Sequence, residues 1–335
     1  MRSWMKTALA AACWAAAGGA LAAPAYRVVD KIPGPDGSWD YARVDSVSNR
    51  VLVAHGDSVM AIDLATRKVV SGLSPGARLH IALPVNGGAE MLVTNGGSDT
   101  VVFADAKTGA VNATIHTGAS PDGAALDARS GLVLVMDHKG GDVVLLNVKT
   151  HERVGAIEIG GDLEEAAVDG AGRAFVNVES KNEIAVLDIA ARKVVARYPL
   201  AGCDGPTGLA YDRKDKLLIA ACDGVTVLVR ASDGKIVKSL ATGKGADGVA
   251  YDAKRRLAFV PAGRDGTLSI IALAHGTGSV VGTTPTARGA RTIALDERSG
   301  RLYLPAADYV FPPGGGRPTI TPGSFQVLVV APAGG

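Results

Sequence analysis

Short apolar runs alternate with tight polar turns along this chain, and one such pattern recurs over its whole length. Each copy has an apolar stretch ending in Asp, a turn, and a second apolar run, as in AALDARSGLVLVMD. The anchor positions lie 39 to 44 residues apart, with Pro84 in place of Asp in a degenerate second copy. They are Asp45, Pro84, Asp127, Asp169, Asp212, Asp252 and Asp296. Seven copies of a unit of about forty residues are typical of a β-propeller.

Each unit contains runs of strand length and no helical period. In the third copy these runs are GAALD, LVLVMD, DVVLLNV and RVGAIEI. Four short antiparallel strands form a propeller blade, and a blade packed between two others is buried on both faces, which explains the continuous apolar runs. The pattern therefore predicts an all-β fold, a seven-bladed β-propeller with four antiparallel strands per blade.

The two ends of the repeat region complement each other. The last copy stops after its third strand, FQVLVVAP, and a strand-like segment, YRVVDKI at 26–32, precedes the first copy. Pairing these segments would complete the last blade, close the ring and leave no sheet edge exposed. We therefore expect residues 26–332 to form a single domain.

The N-terminal segment has the layout of a secretory signal. Arg2 and Lys6 precede an apolar run and the small residues around Ala22. This layout predicts a signal peptide over 1–22, with cleavage near 22–25, and a periplasmic or secreted protein. Gly18 and Gly19 interrupt the apolar run, so we expect no membrane span in the mature chain.

Charge and cysteine content support this interpretation. The formal charge of +2 falls to zero when Arg2 and Lys6 are removed, so the net charge gives no support to nucleic-acid or anionic-membrane binding. The two cysteines outside the predicted signal peptide, Cys203 and Cys222, are predicted to form a disulfide in an oxidising compartment.

Two stretches, LVTNGG at 92–97 and FVNVES at 175–180, resemble the repeats of the YVTN family of secreted seven-bladed propellers. Each is followed by a polar loop and then by a further apolar run. The resemblance implies the propeller fold and a scaffold that hosts binding roles. It implies no common catalytic motif, and single-stranded DNA binding is reported for some members of the family.

Polar residues recur where the first strand of each blade begins, at the predicted mouth of the central channel. Five residues before the Asp anchors stand polar residues, and His80 falls one position out of this register in the second copy. The seven are Asp40, His80, Asp122, Glu164, Thr207, Asp247 and Arg291. Carboxylates and imidazole suit a divalent metal, and Arg291 with the acids suits a small polar ligand. The alternative is a water-filled mouth that binds nothing.

Secondary candidates lie on the same predicted face. His55 and His138 follow second strands in loops whose Gly, Asn and Asp content is otherwise typical of turns. The loop at 306–324 is unusually long and carries Tyr309 and Arg317, which suits a lid or a docking loop for a partner protein. A flexible Pro/Gly insertion is the alternative.

Linear catalytic motifs are absent from the sequence. The leading hypothesis is therefore a binding or scaffold protein that recognises an unknown protein or small polar ligand on the channel-mouth face. A metal-dependent, lactonase-like hydrolase is the first alternative, because its site would be assembled from separate blades. Single-stranded DNA binding is the second and rests on family resemblance alone.

Overall fold

The computed structural model describes residues 25–310 and 318–333. The predicted signal peptide at 1–22 and Arg317 lie outside this range. Seven four-stranded antiparallel sheets make up the described part, together with one two-stranded hairpin. The predicted all-β, seven-bladed propeller is confirmed.

Blades 1 to 3 each use four consecutive strands. Blade 1 contains β2 (Trp39–Asp45), β3 (Arg50–His55), β4 (Ser58–Asp63) and β5 (Val69–Val70). Blade 2 contains β6 (Leu79–Val85), β7 (Glu90–Asn95), β8 (Thr100–Asp105) and β9 (Val111–His116). Blade 3 contains β10 (Pro121–Asp127), β11 (Leu132–Asp137), β12 (Asp142–Asn147) and β13 (Arg153–Glu158).

Blades 4 to 6 follow the same order. Blade 4 contains β14 (Leu163–Val168), β15 (Arg173–Val178), β16 (Glu183–Asp188) and β17 (Lys193–Pro199). Blade 5 contains β18 (Leu209–Asp212), β19 (Leu217–Ala221), β20 (Val225–Arg230) and β21 (Ile236–Ala241). Blade 6 contains β22 (Ala250–Asp252), β23 (Leu257–Ala262), β24 (Thr267–Ala274) and β25 (Thr277–Pro285).

Blade 7 joins the two ends of the chain. Its strands are β26 (Ala294–Asp296), β27 (Arg301–Ala306), β30 (Gln326–Pro332) and β1 (Tyr26–Pro33). The outer strand β1 pairs antiparallel with β30, from Tyr26 opposite Pro332 to Pro33 opposite Gln326. The predicted closure of the ring by the N-terminal strand is therefore confirmed.

The remaining elements are short. A hairpin of β28 (Tyr309–Val310) and β29 (Thr319–Ile320) forms within the long loop of blade 7. The 3₁₀ turns η1 (Asn86–Gly88) and η2 (Glu179–Lys181) lie in blades 2 and 4. In the part of the chain that the structure describes, no helix has the length and apolar character needed to cross a membrane.

The repeated Asp ends the first strand because its carboxylate caps the following turn. Asp45 accepts hydrogen bonds from the backbone N–H groups of Val47 and Ser48, so the buried carboxylate satisfies donors that the turn leaves unpaired. In blade 2 the equivalent residue is Val85, which pairs with Glu90 as Asp45 pairs with Arg50. The anchor of blade 2 is therefore Val85, one residue beyond the predicted Pro84.

The hydrophobic core lies between neighbouring blades. Leu134 and Met136 of blade 3, for example, share one cluster with Val176 and Val178 of blade 4. Burial of each such side chain contributes roughly 1.5–3 kcal/mol, and the seven interfaces together fix the radial arrangement of the blades. The Cys203–Cys222 disulfide is confirmed and joins the loop before β18 to the end of β19.

Candidate functional site

A shared irregularity in the first strands places polar side chains at the channel mouth. In blades 1 to 4 the first strand pairs at its first residue, and the register then shifts before pairing resumes three residues later. Bulges of this kind re-aim a side chain away from the ladder. The residues that directly follow the first pair are Asp40, His80, Asp122 and Glu164. His80 is thus in register with the others, which corrects the expected offset of one residue.

Asp40, His80 and Asp122 come together from three consecutive blades. His80 Nδ1 lies 2.6 Å from Asp40 Oδ2 and 3.2 Å from Asp122 Oδ2. An ionised Asp40 carboxylate can only accept a hydrogen bond, so this contact requires the proton of a neutral imidazole to be on Nδ1. One ligand atom from each residue lies within 4.8 Å of the other two, which is the spacing of a group that could hold a metal ion. We call this group the Asp–His–Asp cluster.

Negative charge is crowded at the mouth. Burial raises the pKa of Asp122 well above its usual range, and the carboxylates of Asp40, Glu164 and Asp247 raise it further. Burial also raises the pKa of Asp247, with Asp40 adding to the effect and Arg291 opposing it. Carboxylates that resist ionisation in this way would be stabilised by a bound cation.

Arg291 partly balances this charge. Its Nε donates to Asp247 Oδ2 at 2.7 Å, and its Nη2 donates to the carbonyl oxygen of Trp39 at 2.8 Å. Asp40 Oδ1 lies 3.9 Å from the same Nη2. Burial alone would lower the pKa of Arg291, but Asp247 and Asp40 hold it above its usual value. Arg291 therefore remains charged.

A second mixed group lies in blades 3 and 4. His138 Nδ1 is 3.1 Å from Glu164 Oε1 and 3.0 Å from the carbonyl oxygen of Leu163. The hydrogen bond to Glu164 raises the pKa of His138, and burial raises the pKa of Glu179. His138, Glu164 and Glu179 also present three ligand atoms within 4.8 Å of one another. The structure thus places the predicted candidate His138 beside two carboxylates, and its role in a site stays a prediction.

Three other predicted candidates, Thr207, His55 and Tyr309, do not belong to either group of possible metal ligands. Thr207 donates to the carbonyl oxygen of Ala246 at 3.0 Å, and so holds blade 5 against blade 6. His55 is buried with its ring centroid 4.5 Å from that of Phe325, and burial lowers its pKa. Tyr309 packs against Trp39 at 6.1 Å between ring centroids.

The expected turn roles hold for two of the neighbouring polar residues. Asn95 accepts a hydrogen bond from the N–H of Ala77, and Asp137 accepts one from the N–H of Gly118 at 2.7 Å. Both side chains therefore close loops on the channel-mouth face. Burial raises the pKa of Asp137 to about 6.

Three residues that make contacts across the channel were not predicted from the sequence. Tyr41 donates across the channel to Glu164 Oε2 at 3.3 Å, and Arg43 pairs with Glu165 at 2.5 Å. Both contacts join blade 1 to blade 4. The available signal was the presence of Arg43 and Glu165 inside otherwise apolar first strands, where each needs a partner.

Comparison with known proteins supports the fold but identifies no family. No family model matches the chain, and no curated protein matches it. Among solved structures, hydrazine synthase from Kuenenia stuttgartiensis superposes with a TM-score of 0.70 at 16% sequence identity. The match covers 82% of this chain and 92% of that one. At this identity the likeness supports the propeller fold alone, so membership of the YVTN family stays a prediction.

Proposed function

We propose that this propeller is an extracytoplasmic binding protein that holds a divalent cation at the mouth of its central channel. The ligands are Asp40, His80 and Asp122. One observation carries the proposal: His80 Nδ1 faces carboxylate oxygens of both neighbouring blades, at 2.6 and 3.2 Å. The propeller fold is consistent with a binding or scaffold role.

The ligand set favours particular ions. Two carboxylates and one imidazole suit Mn²⁺ or Zn²⁺, whereas Ca²⁺ prefers six to eight oxygen ligands. Binding of an ion at His80 Nδ1 would place the ring proton on Nε2. Asp122, whose pKa is raised by burial, would release its proton to solvent, so cation and proton compete for this carboxylate. The mouth is preorganised for this exchange, because the hydroxyl of Thr94 holds the backbone carbonyl of Asp122 at 2.7 Å.

Isothermal titration of the chelator-treated protein with Mn²⁺ and with Zn²⁺ tests the proposal. We expect saturable binding of one ion, weakened by more than about tenfold in Asp122→Asn and in His80→Gln. Asp162→Asn is the matched control, since Asp162 is an acid that contacts exposed Lys139 at 3.4 Å, outside the Asp–His–Asp cluster. Equal weakening by Asp162→Asn would show only diffuse attraction to an acidic face, and a protein that takes up neither ion would refute the site.

A metal-dependent hydrolase is the second candidate. The observation that favours it is the His138–Glu164 pair, because an imidazole oriented by a carboxylate is suited to act as a general base. Lactone hydrolysis that requires Mn²⁺, disappears with chelator and is lost in His138→Gln would support this activity. The His138→Gln protein should still bind Mn²⁺, which separates catalysis from cation binding.

The proposed location and family have independent support. A disulfide between Cys203 and Cys222 suits an oxidising compartment, as does the signal-like segment at 1–22. The repeat motifs and the propeller fold support the YVTN relationship. The acidic channel mouth counts against nucleic-acid binding on this face, because a DNA backbone would meet carboxylates there.

A further inference from the structure

A second recess opens beside the channel mouth, among the loops of blades 5, 6 and 7. Its volume is about 420 Å³. Arginines, glycines, Tyr309 and Pro318 line it, and we call it the arginine groove. The lining arginines are Arg264, Arg288 and Arg291, and the lining glycines are Gly245, Gly263 and Gly289.

The arginine groove is cationic on a face whose other buried charges are mainly carboxylates. Arg291 is fixed by its bonds to Asp247 and Trp39, and its guanidinium lies 5.7 Å from the centroid of the Trp39 ring. Its Nη1 makes no hydrogen bond within the described residues. Arg264 pairs with Asp223 at 3.3 Å, but both side chains are exposed, and such a pair is held weakly enough to exchange for a ligand.

The glycines let the walls of the groove pack closely against one another. A Cβ at Gly289 would lie 2.6 Å from Tyr309 Cε2, and a Cβ at Gly263 would lie 2.8 Å from Arg291 Cβ. The Tyr309 ring therefore packs directly on the Gly289 backbone, and together they form one apolar wall of the groove, against which a flat ligand could lie.

We propose that the arginine groove binds a small organic carboxylate with a planar apolar body. Guanidinium groups bind carboxylates through paired, charge-assisted hydrogen bonds. Tyr309, Pro318 and the lining glycines supply the apolar surface for the rest of the molecule. The binding goes beyond the cation site and does not depend on it.

Benzoate is the probe, and its uncharged analogue benzamide is the matched control ligand. With Trp4→Phe and Trp14→Phe in the full chain, Trp39 is the single tryptophan, and its emission reports on the groove through its contacts with Arg291 and Tyr309. We expect saturable quenching or enhancement by benzoate, weakened about fivefold or more by Arg264→Gln. Arg264 is exposed, so this change leaves the fold intact, and thermal melting checks this.

Several outcomes would overturn the proposal. If benzamide bound as tightly as benzoate, the groove would be an apolar recess that does not recognise a carboxylate. If inorganic phosphate bound and benzoate did not, the groove would be a simple anion site. An effect of Arg298→Gln, in the turn between β26 and β27, equal to that of Arg264→Gln would show non-specific attraction. Benzoate binding that vanishes with chelator would assign the carboxylate to the metal instead, whereas loss of Mn²⁺ binding with benzoate binding retained refutes only the cation site.

Discussion

Arg43 of blade 1 spans the central channel and forms an ion pair with Glu165 of blade 4, with Arg43 Nη2 2.5 Å from Glu165 Oε1. Glu165 also accepts a hydrogen bond from the N–H of Leu209 in blade 5. Burial raises the pKa of Glu165, and Arg43 opposes that rise. The guanidinium therefore holds three blades together by stabilising one buried carboxylate.

Replacing Arg43 by Met should leave Glu165 buried without its counter-charge. We expect the free energy of unfolding to fall by roughly 3 kcal/mol, measured by urea denaturation near neutral pH. Adding Glu165→Gln to Arg43→Met should restore most of this loss, because the buried charge is removed with its partner.

Arg27→Met serves as the control for Arg43→Met, since Arg27 is exposed on the outer strand β1. It should change stability by no more than about 0.5 kcal/mol. If the Arg43→Met, Glu165→Gln double variant were less stable than Arg43→Met alone, the pair would not act as described.

The disulfide should stabilise the fold independently of the Arg43–Glu165 ion pair. Cys203 and Cys222 are fully buried, with their Cα atoms 5.4 Å apart and a separation of 19 positions in sequence. In the chain-entropy account, closing such a loop stabilises by about 3 kcal/mol. Cys203→Ala with Cys222→Ala should lose about this amount. Dithiothreitol should destabilise the natural chain alone; an equal effect on the double variant would argue against the disulfide.

The architecture could be predicted because it depends on local pattern. A single repeat contains the apolar runs and the turn after an Asp such as Asp127. The closure of the ring follows from the strand-like segment at 26–32, which supplies the strand that the last copy lacks. The one local error, at Pro84, arose because the second copy lacks the Asp that caps the turn. Pairing of Val85 with Glu90 reveals the true anchor and brings His80 into register.

The pairing of charges across the channel could not be predicted in the same way. Arg43 and Glu165 are 122 positions apart, and their contact depends on the angle between blades 1 and 4, which no short pattern specifies. The same holds for Thr207, whose position matches the charged residues while its hydroxyl bonds to a backbone carbonyl. Sequence thus identifies which residues reach the mouth, and only the packed ring decides their partners.

Protonation of His55 should weaken the fold at low pH. Burial lowers the pKa of His55 below its ordinary value of 6.5, with nearby Asp36 opposing the effect. Below pH 6.5 the unfolded chain therefore binds a proton that the folded chain resists. The contribution of neutral His55 to stability is therefore fully present above pH 6.5. It is lost as the pH falls toward the lower pKa that His55 has in the folded chain.

His55→Gln isolates this contribution, because every other titrating group is shared with the natural chain. The stability of the natural chain relative to His55→Gln, from urea denaturation at about pH 8 and about pH 5, should be lower at the acidic pH. A difference that is constant with pH, or that grows in acid, would contradict the lowered pKa.

Gly96 should control cation binding without being a ligand. A Cβ at this position would lie 2.6 Å from His80 Nε2 and 2.8 Å from His80 Cδ2. Gly96→Ala should therefore push the imidazole out of its place between Asp40 and Asp122. Because small displacements of a ligand weaken a metal site strongly, we expect the affinity for Mn²⁺ to fall by about tenfold or more.

Gly282→Ala is the control for Gly96→Ala, since a Cβ there meets only Ile270 Cδ1, at an ordinary 3.5 Å. Its Mn²⁺ affinity should match that of the natural chain in the same titration. Gly96→Ala should also cost about 1–3 kcal/mol of stability through overpacking, which urea denaturation measures independently. Unchanged Mn²⁺ affinity in Gly96→Ala, together with reduced stability, would mean that the His80 ring had shifted without affecting the ion, so His80 could not be a ligand.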